Sequence, residues 1–219
     1  MHNNHFDNNF QLSHIFKQAW QLTKKNFWMM FGIGVISIII DYVFSVSEKY
    51  TPSMVYFLLS VVSYIVGTLL SFNISKMVLD MIDAKKIEIM DMFKWDQNVS
   101  SRIVPYFFAT IIYTLMILVG LIFLIVPGIY LAIKYQYVRY LLIENDMSIQ
   151  DAFKKSGDMT KGNMWNLLVL GLASAGIAIL GVCALIVGII PAIMVATFAT
   201  FLVYRKLGSK RHTDHTHQA

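Results

Sequence analysis

Lys134, Arg139 and Glu144 lie within FLIVPGIYLAIKYQYVRYLLIEND, Phe123 to Asp146, a stretch that otherwise has the apolar character of a membrane crossing. Another carboxylate, Asp41, interrupts the apolar block Phe27–Val46. An ionisable group inside a span costs about 3 kcal/mol on insertion scales, so such groups are kept for pairing or for moving ions. Two kinds of chemistry follow. Either the charges form an ion pair that locks spans together, or they line a pathway for an ion or amphiphilic substrate. Depth favours pairing. Lys134 lies about 9 Å inward from Pro127-Gly128, and Asp41 climbs about 21 Å from Phe27 on the opposite side, so the two reach nearly the same level. Asp41 and Lys134 are therefore expected to pair. Arg139 lies deeper and is directed toward Glu144 or Asp80.

A second candidate chemistry is metal binding by the C-terminal RHTDHTHQA, with His212, Asp214, His215 and His217, joined at the other end by His2 and His5. Histidine-rich tracts bind zinc or nickel. Nothing in this segment fixes ligand geometry, so it reads as a polar tail over 208–219, with no resident metal or cofactor expected. There is no Gly-rich phosphate loop, Ser/His/Asp set or Cys/His metal spacing, and no catalytic residue is assigned. The single cysteine, Cys183, lies in an apolar run and reads as a small hydrophobe.

The elements that must position these groups follow from composition. The chain has 219 residues, 57% hydrophobic and 14% charged, with a mean hydropathy of +0.59. That apolar excess is too large for one soluble core and points to an all-α integral membrane protein. Phe27–Val46 and Met54–Ser75 each provide one crossing. Met164–Tyr204 provides two, divided at Gly188 to Pro191, because proline cannot continue a helix and glycine favours its end. Ile103–Ile133 breaks at Pro127-Gly128, and its second part spans only by continuing through Lys134 and Arg139. Six transmembrane helices result. The polar start MHNNHFDNNF lacks the basic-then-apolar pattern of a cleavable signal peptide.

The net charge of +5 does not mark a nucleic-acid binder, because the basic residues flank apolar runs. With both termini cytoplasmic, each of the 18 Lys and Arg residues except Lys49 falls on or toward the cytoplasmic side.

Leu12, Ile15, Phe16, Ala19 and Trp20 recur at helical spacing ahead of the first span, as an amphipathic helix lying in the interface. Ile149, Ala152, Phe153, Ser156 and Gly157 do the same ahead of the fifth, opened by a Ser148/Asp151 capping pattern. FKQAWQLTKKNFW (16–28) and FKKSGDMTKGNMW (153–165) share Phe, Lys, Thr, Lys, Asn and Trp. A shorter echo, Ile89 to Lys94, precedes the third span. The chain thus reads as a threefold repeat of interfacial helix plus two spans, 10–82, 87–146 and 148–207, within one membrane domain 10–207 after a polar tail 1–9. Ser156 and Gly157 are expected to give close helix packing through small size rather than through the hydroxyl.

The run IVPGIYLAIKYQYVRYLLIENDMSIQDAFKKSGDMTKGNMWNLL, followed by GIIPAIM and YRKL, resembles the membrane domain associated with bacterial glycerophosphodiester phosphodiesterases. It is similar also to free-standing six-helix membrane families of unknown function. The matching features are Pro127-Gly128, Glu144, Ala152, Ser156, Thr160, Gly162, Pro191 and Tyr204-Arg205, covering Leu121 to Leu207 best. The resemblance implies the fold and no enzymatic activity, since catalysis in those phosphodiesterases belongs to a separate soluble domain. The expected role is a structural, scaffolding or lipid-homeostasis component of the bacterial cytoplasmic membrane. Its partners would be the bilayer, other membrane proteins or further copies of itself, and not nucleic acid. The alternative is a small transporter or channel using Asp41, Lys134 and Arg139.

Overall fold

At Leu124 the backbone extends for a single residue (φ −165°, ψ 142°) between two helices. The computed structural model describes residues 12–48, 53–94, 97–183 and 188–216. The tail expected over 1–9, Lys49 and His217 lie outside them. The regular elements are α1 (Leu12–Glu48), α2 (Ser53–Ile82), a 3-10 helix (Ile89–Phe93), α3 (Gln97–Phe123), α4 (Ile125–Tyr135), α5 (Val138–Glu144), α6 (Ile149–Thr160), α7 (Met164–Cys183) and α8 (Ile189–Thr216). No strand occurs among the described residues. In α1, α2, α3, α7 and α8 there are five stretches long and apolar enough to cross a membrane. Large apolar side chains such as Ile38, Tyr42, Phe57, Ile122 and Leu180 stand exposed along them, as befits helices solvated by lipid. This is the build of a multi-pass membrane protein.

The chain groups into two compact units. One combines Met1–Phe27 with Gly157–Ala219, and the other is Trp28–Ser156. This grouping cuts across the three consecutive repeats read from sequence. In the first unit α7 and α8 form a hairpin whose close approach is set by small residues. A Cβ placed on Gly181 would lie 2.7 Å from the Gly188 carbonyl oxygen and 2.7 Å from the Ala192 Cβ. Leu167, Leu170, Phe198, Ala199, Val203 and Tyr204 are buried in the described structure.

The second unit holds the rest of α1, then α2 to α5 and most of α6. Its buried side chains include Phe72, Leu79, Met92, Tyr106, Tyr137 and Leu141. Asn73, buried in α2, donates from Nδ2 to the carbonyls of Met92 (2.9 Å) and Lys94 (3.2 Å), which ties the 3-10 helix to α2. The Asp91 carboxylate in turn accepts from the Glu88 main-chain N–H at 2.9 Å and opens that helix.

The fold shifts one expected break. Pro127 and Gly128 lie inside the first turn of α4, and the interruption falls at Leu124. Proline is compatible with a first turn because its missing N–H would have no intrahelical acceptor there. Gly128 is needed for contact instead of breakage. A Cβ on Gly120 would sit 2.8 Å from the Gly128 Cα, and a Cβ on Gly128 2.9 Å from the Leu121 backbone nitrogen. Helices α3 and α4 therefore meet backbone to backbone. At the other expected break, Gly188 is in the turn before α8, and Pro191 occupies its first turn.

The expected fourth crossing is also interrupted. Helix α4 ends at Tyr135 and α5 begins at Val138. Between them Gln136 stays helical (φ −59°, ψ −25°), while Tyr137 moves to φ −93°, ψ −2°. Neither 11 nor 7 residues can span alone.

Candidate functional site

The chemistry-bearing side chains of the second unit gather where α3 faces α4 and α5. Helix α3 carries Arg102, Tyr106 and Tyr113, spaced by one and two turns, so they share a face. The opposing helices run antiparallel to it. Arg102 donates from Nη1 to the Ile143 carbonyl at 2.8 Å, and Tyr113 donates its hydroxyl to the Ala132 carbonyl at 2.9 Å. Gly120 and Gly128 close the far end. Pairing thus holds one register along the whole hairpin.

Both side-chain bonds answer a local need. Ile143 lies in the last turn of α5, where carbonyls have no intrahelical donor. Ala132 lies in the last turn of α4, just before the interruption at Gln136-Tyr137, and its carbonyl is exposed to the same loss. The third carbonyl of this kind, on Lys134, accepts from the Ser156 hydroxyl at 3.1 Å. In lipid each unmet carbonyl would be costly, so a broken helix persists only where neighbouring side chains supply donors. Tyr106 adds a link to α2 by sharing a hydrogen bond with Ser71 at 3.1 Å, and its ring packs edge-on against Phe72 at 5.2 Å.

Lys134 and Arg139 are held by aromatic faces. The Lys134 ammonium lies 5.6 Å from the Tyr130 ring centre and 5.2 Å from that of Tyr135. The Arg139 guanidinium lies 5.9 Å from the ring centre of Tyr113. Such contacts contribute about 0.5–2 kcal/mol, more when desolvated. Asp41 stands elsewhere, exposed on α1 beside Ile38, Ile39, Tyr42 and Val43. No ion pair joins it to Lys134. Asp80 and Asp83 pair with Lys85, and Asp91 pairs with Lys94. Equal depth does not bring two charges together when one of them points away from the bundle. Glu144 ends α5 and is half-buried. It does not form the expected ion pair with Arg139, and Asp80 meets Lys85 in place of Arg139.

Ser156 is completely buried. Its hydroxyl is engaged, so its role goes beyond small size. Gly157, the next residue, accepts from the Thr160 hydroxyl at 3.1 Å. The capping pattern ahead of α6 is formed as the sequence suggests. The Asp151 N–H donates to the Ser148 hydroxyl oxygen at 3.1 Å, and that hydroxyl donates to the Asp151 carboxylate at 2.6 Å. The matched segments 16–28 and 153–165 also share environments. Ala19 and Ser156 are both 0% exposed, Thr23 and Thr160 are both buried, and Trp28 and Trp165 are 79% and 71% exposed.

Two nitrogen atoms on the broken helix stand out. The Gln136 Nε2 and Arg139 Nε are buried and have no acceptor among the described residues. An unmet buried donor costs about 1–3 kcal/mol, more when charged. Sequence reading singled out Arg139 but not Gln136, Asn73 or Ser71. Their signal was a polar residue within an apolar run, which says that a partner exists without naming it. Metal binding finds no support in the described part. No group of three or more potential ligands occurs among the described residues, and the side chains of His212, His215 and His217 lie outside them. No family model, curated relative or solved structure matches the chain.

Proposed function

We propose that the chain is a non-enzymatic, six-span protein of the bacterial cytoplasmic membrane with both termini inside, serving as a structural component that associates with lipid. The observation that carries the sixth crossing is the register of the α3 hairpin. Arg102 meets Ile143 at one end and Gly120 meets Gly128 at the other. Whatever thickness α3 crosses outward, α4 and α5 together therefore cross back. The twenty residues from Ile125 to Glu144 cover roughly 30 Å along a helical path, enough for the hydrocarbon core.

A structural role is favoured over transport because the carbonyls at the helix break are capped from within the protein. Asp41, Arg139 and Asp80 do not line up into a polar path either: Asp41 is exposed on α1, and Asp80 is paired with Lys85. The threefold repeat and the kinship with the phosphodiesterase-associated membrane domain belong to this proposal. The shared burial of Ala19 with Ser156 and Thr23 with Thr160 supports the first and last repeats.

Topology is tested with single cysteines in a Cys183→Ser background. Residues 124 and 147 are labelled in intact cells with a membrane-impermeant maleimide. Labelling at 124 but not at 147 is expected. Equal labelling of both would remove the sixth crossing. The structural role is tested by affinity capture from native membranes followed by protein and lipid identification. Ion uptake into reconstituted vesicles, abolished by Arg139→Gln, would overturn it in favour of transport.

A further inference from the structure

We infer that Arg139 and Gln136 form a binding site for an oxygen anion of the phosphate class, reached from the side of the α3–α5 hairpin. This deepens the lipid-associated reading above and rests on its membrane placement. Three observations converge on the same short segment. First, the Gln136 Nε2 and the Arg139 Nε are buried donors with no acceptor among the described residues, so a group that meets them is an acceptor. Second, no carboxylate among the described residues pairs with Arg139. Asp80, Asp83 and Asp91 are taken by Lys85 and Lys94, and the guanidinium lies against the Tyr113 ring. A cation at this depth lacks its counter-charge. Third, the two residues are three apart along a path that stays near helical through Tyr137, which sets their side chains on adjacent turns of one face.

Accessibility fits as well. Gln136 and Arg139 are each half-buried as residues while these particular atoms are covered. A ligand can therefore approach the outer edge of the guanidinium and draw the inner donors to it by small side-chain rotations. A guanidinium edge and an amide together match the spread of oxygens on a phosphate, which accepts from several donors at once. The register places Arg139 about one turn further into the membrane than Arg102 and Ile143. A phospholipid headgroup at the interface can reach that level, and so can free phosphate entering from the same side. The shared chemistry is the phosphate oxygen.

The experiment follows thermal unfolding of the purified full-length protein in a zwitterionic detergent. Phosphatidylglycerol, phosphatidylcholine and inorganic phosphate are titrated separately. Phosphatidylglycerol should raise the unfolding temperature by several degrees. Arg139→Gln should weaken its apparent affinity about tenfold, the effect of losing a charge-assisted hydrogen bond, with Arg139→Lys intermediate. Gln136→Leu should weaken it by about threefold to tenfold. A response to phosphatidylglycerol alone assigns the site to lipid headgroups, and an equal response to inorganic phosphate assigns it to the free anion. Should Arg139→Gln fail to fold, Gln136→Leu carries the same comparison. A wild-type protein indifferent to both anions has its donors met by water, which overturns the proposal. So does a shift that both variants keep in full. Failure of the six-span reading would appear separately, as equal labelling at residues 124 and 147.

Discussion

The Ser156 hydroxyl donates to the main-chain carbonyl of Lys134, 22 residues earlier in the chain, at 3.1 Å. That carbonyl is stranded by the end of α4, so the serine closes the hydrogen bonding of a helix other than its own. Replacing it with alanine removes this donor from a part-buried carbonyl. Ser156→Ala should therefore lower stability by about 1–2 kcal/mol, and Ser156→Leu by more, through crowding. Thermal unfolding in detergent measures both. An alanine variant as stable as the parent would return the position to a purely steric role.

Asn73 makes a comparable bond network between α2 and the 3-10 helix. Asn73→Leu removes both donors to Met92 and Lys94 and should cost about 1–3 kcal/mol. Hydrogen exchange is the sharper readout. Amides from Ile89 to Lys94 should exchange faster in the variant, while those of α7 stay unchanged.

The 3-10 helix also has a defined pH response. The Asp91 carboxyl is held below its usual 3.8, first by the Glu88 main-chain N–H and then by the Lys94 side chain, with partial burial opposing them. A carboxyl with a depressed folded-state value stabilises the fold above its unfolded value, and this contribution fades as pH falls through the folded one. Proteolysis of the Lys85–Lys94 region should thus increase below about pH 4. Asp91→Asn should abolish that pH step, and a step that survives the substitution would place it on another group.

Glycine positions separate contact from propensity. Gly128→Ala pushes a Cβ to within 2.9 Å of the Leu121 backbone nitrogen and should cost about 1–3 kcal/mol. Gly67→Ala meets nothing within 4 Å and should be neutral or stabilising by up to about 1 kcal/mol through helix propensity. Folded yield and unfolding temperature compare them directly.

Much of this architecture is legible in the chain. Apolar runs announce α1, α2, α3, α7 and α8, because bilayer solvation imposes length and hydropathy on any crossing. The Ser148/Asp151 cap is legible because capping is local. Partners across the bundle are not. Asn73 bonds to carbonyls 19 and 21 residues away, and nothing near it in sequence marks them. The Asp41–Lys134 pairing misleads for a related reason. Depth follows from counting residues, but the direction a side chain takes around its helix depends on packing. Hydropathy does not mark α4 and α5 as a crossing, because their polar residues and the interruption between them both count against it.

The backbone contact between Gly120 and Gly128 bears on how this chain enters a membrane during synthesis. A segment with Lys134 and Arg139 partitions poorly by itself, each charge opposing insertion by about 2.5–3.5 kcal/mol near the centre of a span. Helix α3 has no such burden between Ile103 and Phe123, and it emerges from the ribosome immediately before. Because the turn at Leu124 is a single extended residue, the segment that carries the charges follows α3 with almost no linker. Tyr113 of α3 then precedes Arg139, whose guanidinium it faces in the folded chain. Insertion of α4 and α5 is therefore expected to depend on α3, with the hairpin rather than the single helix as the unit that enters lipid.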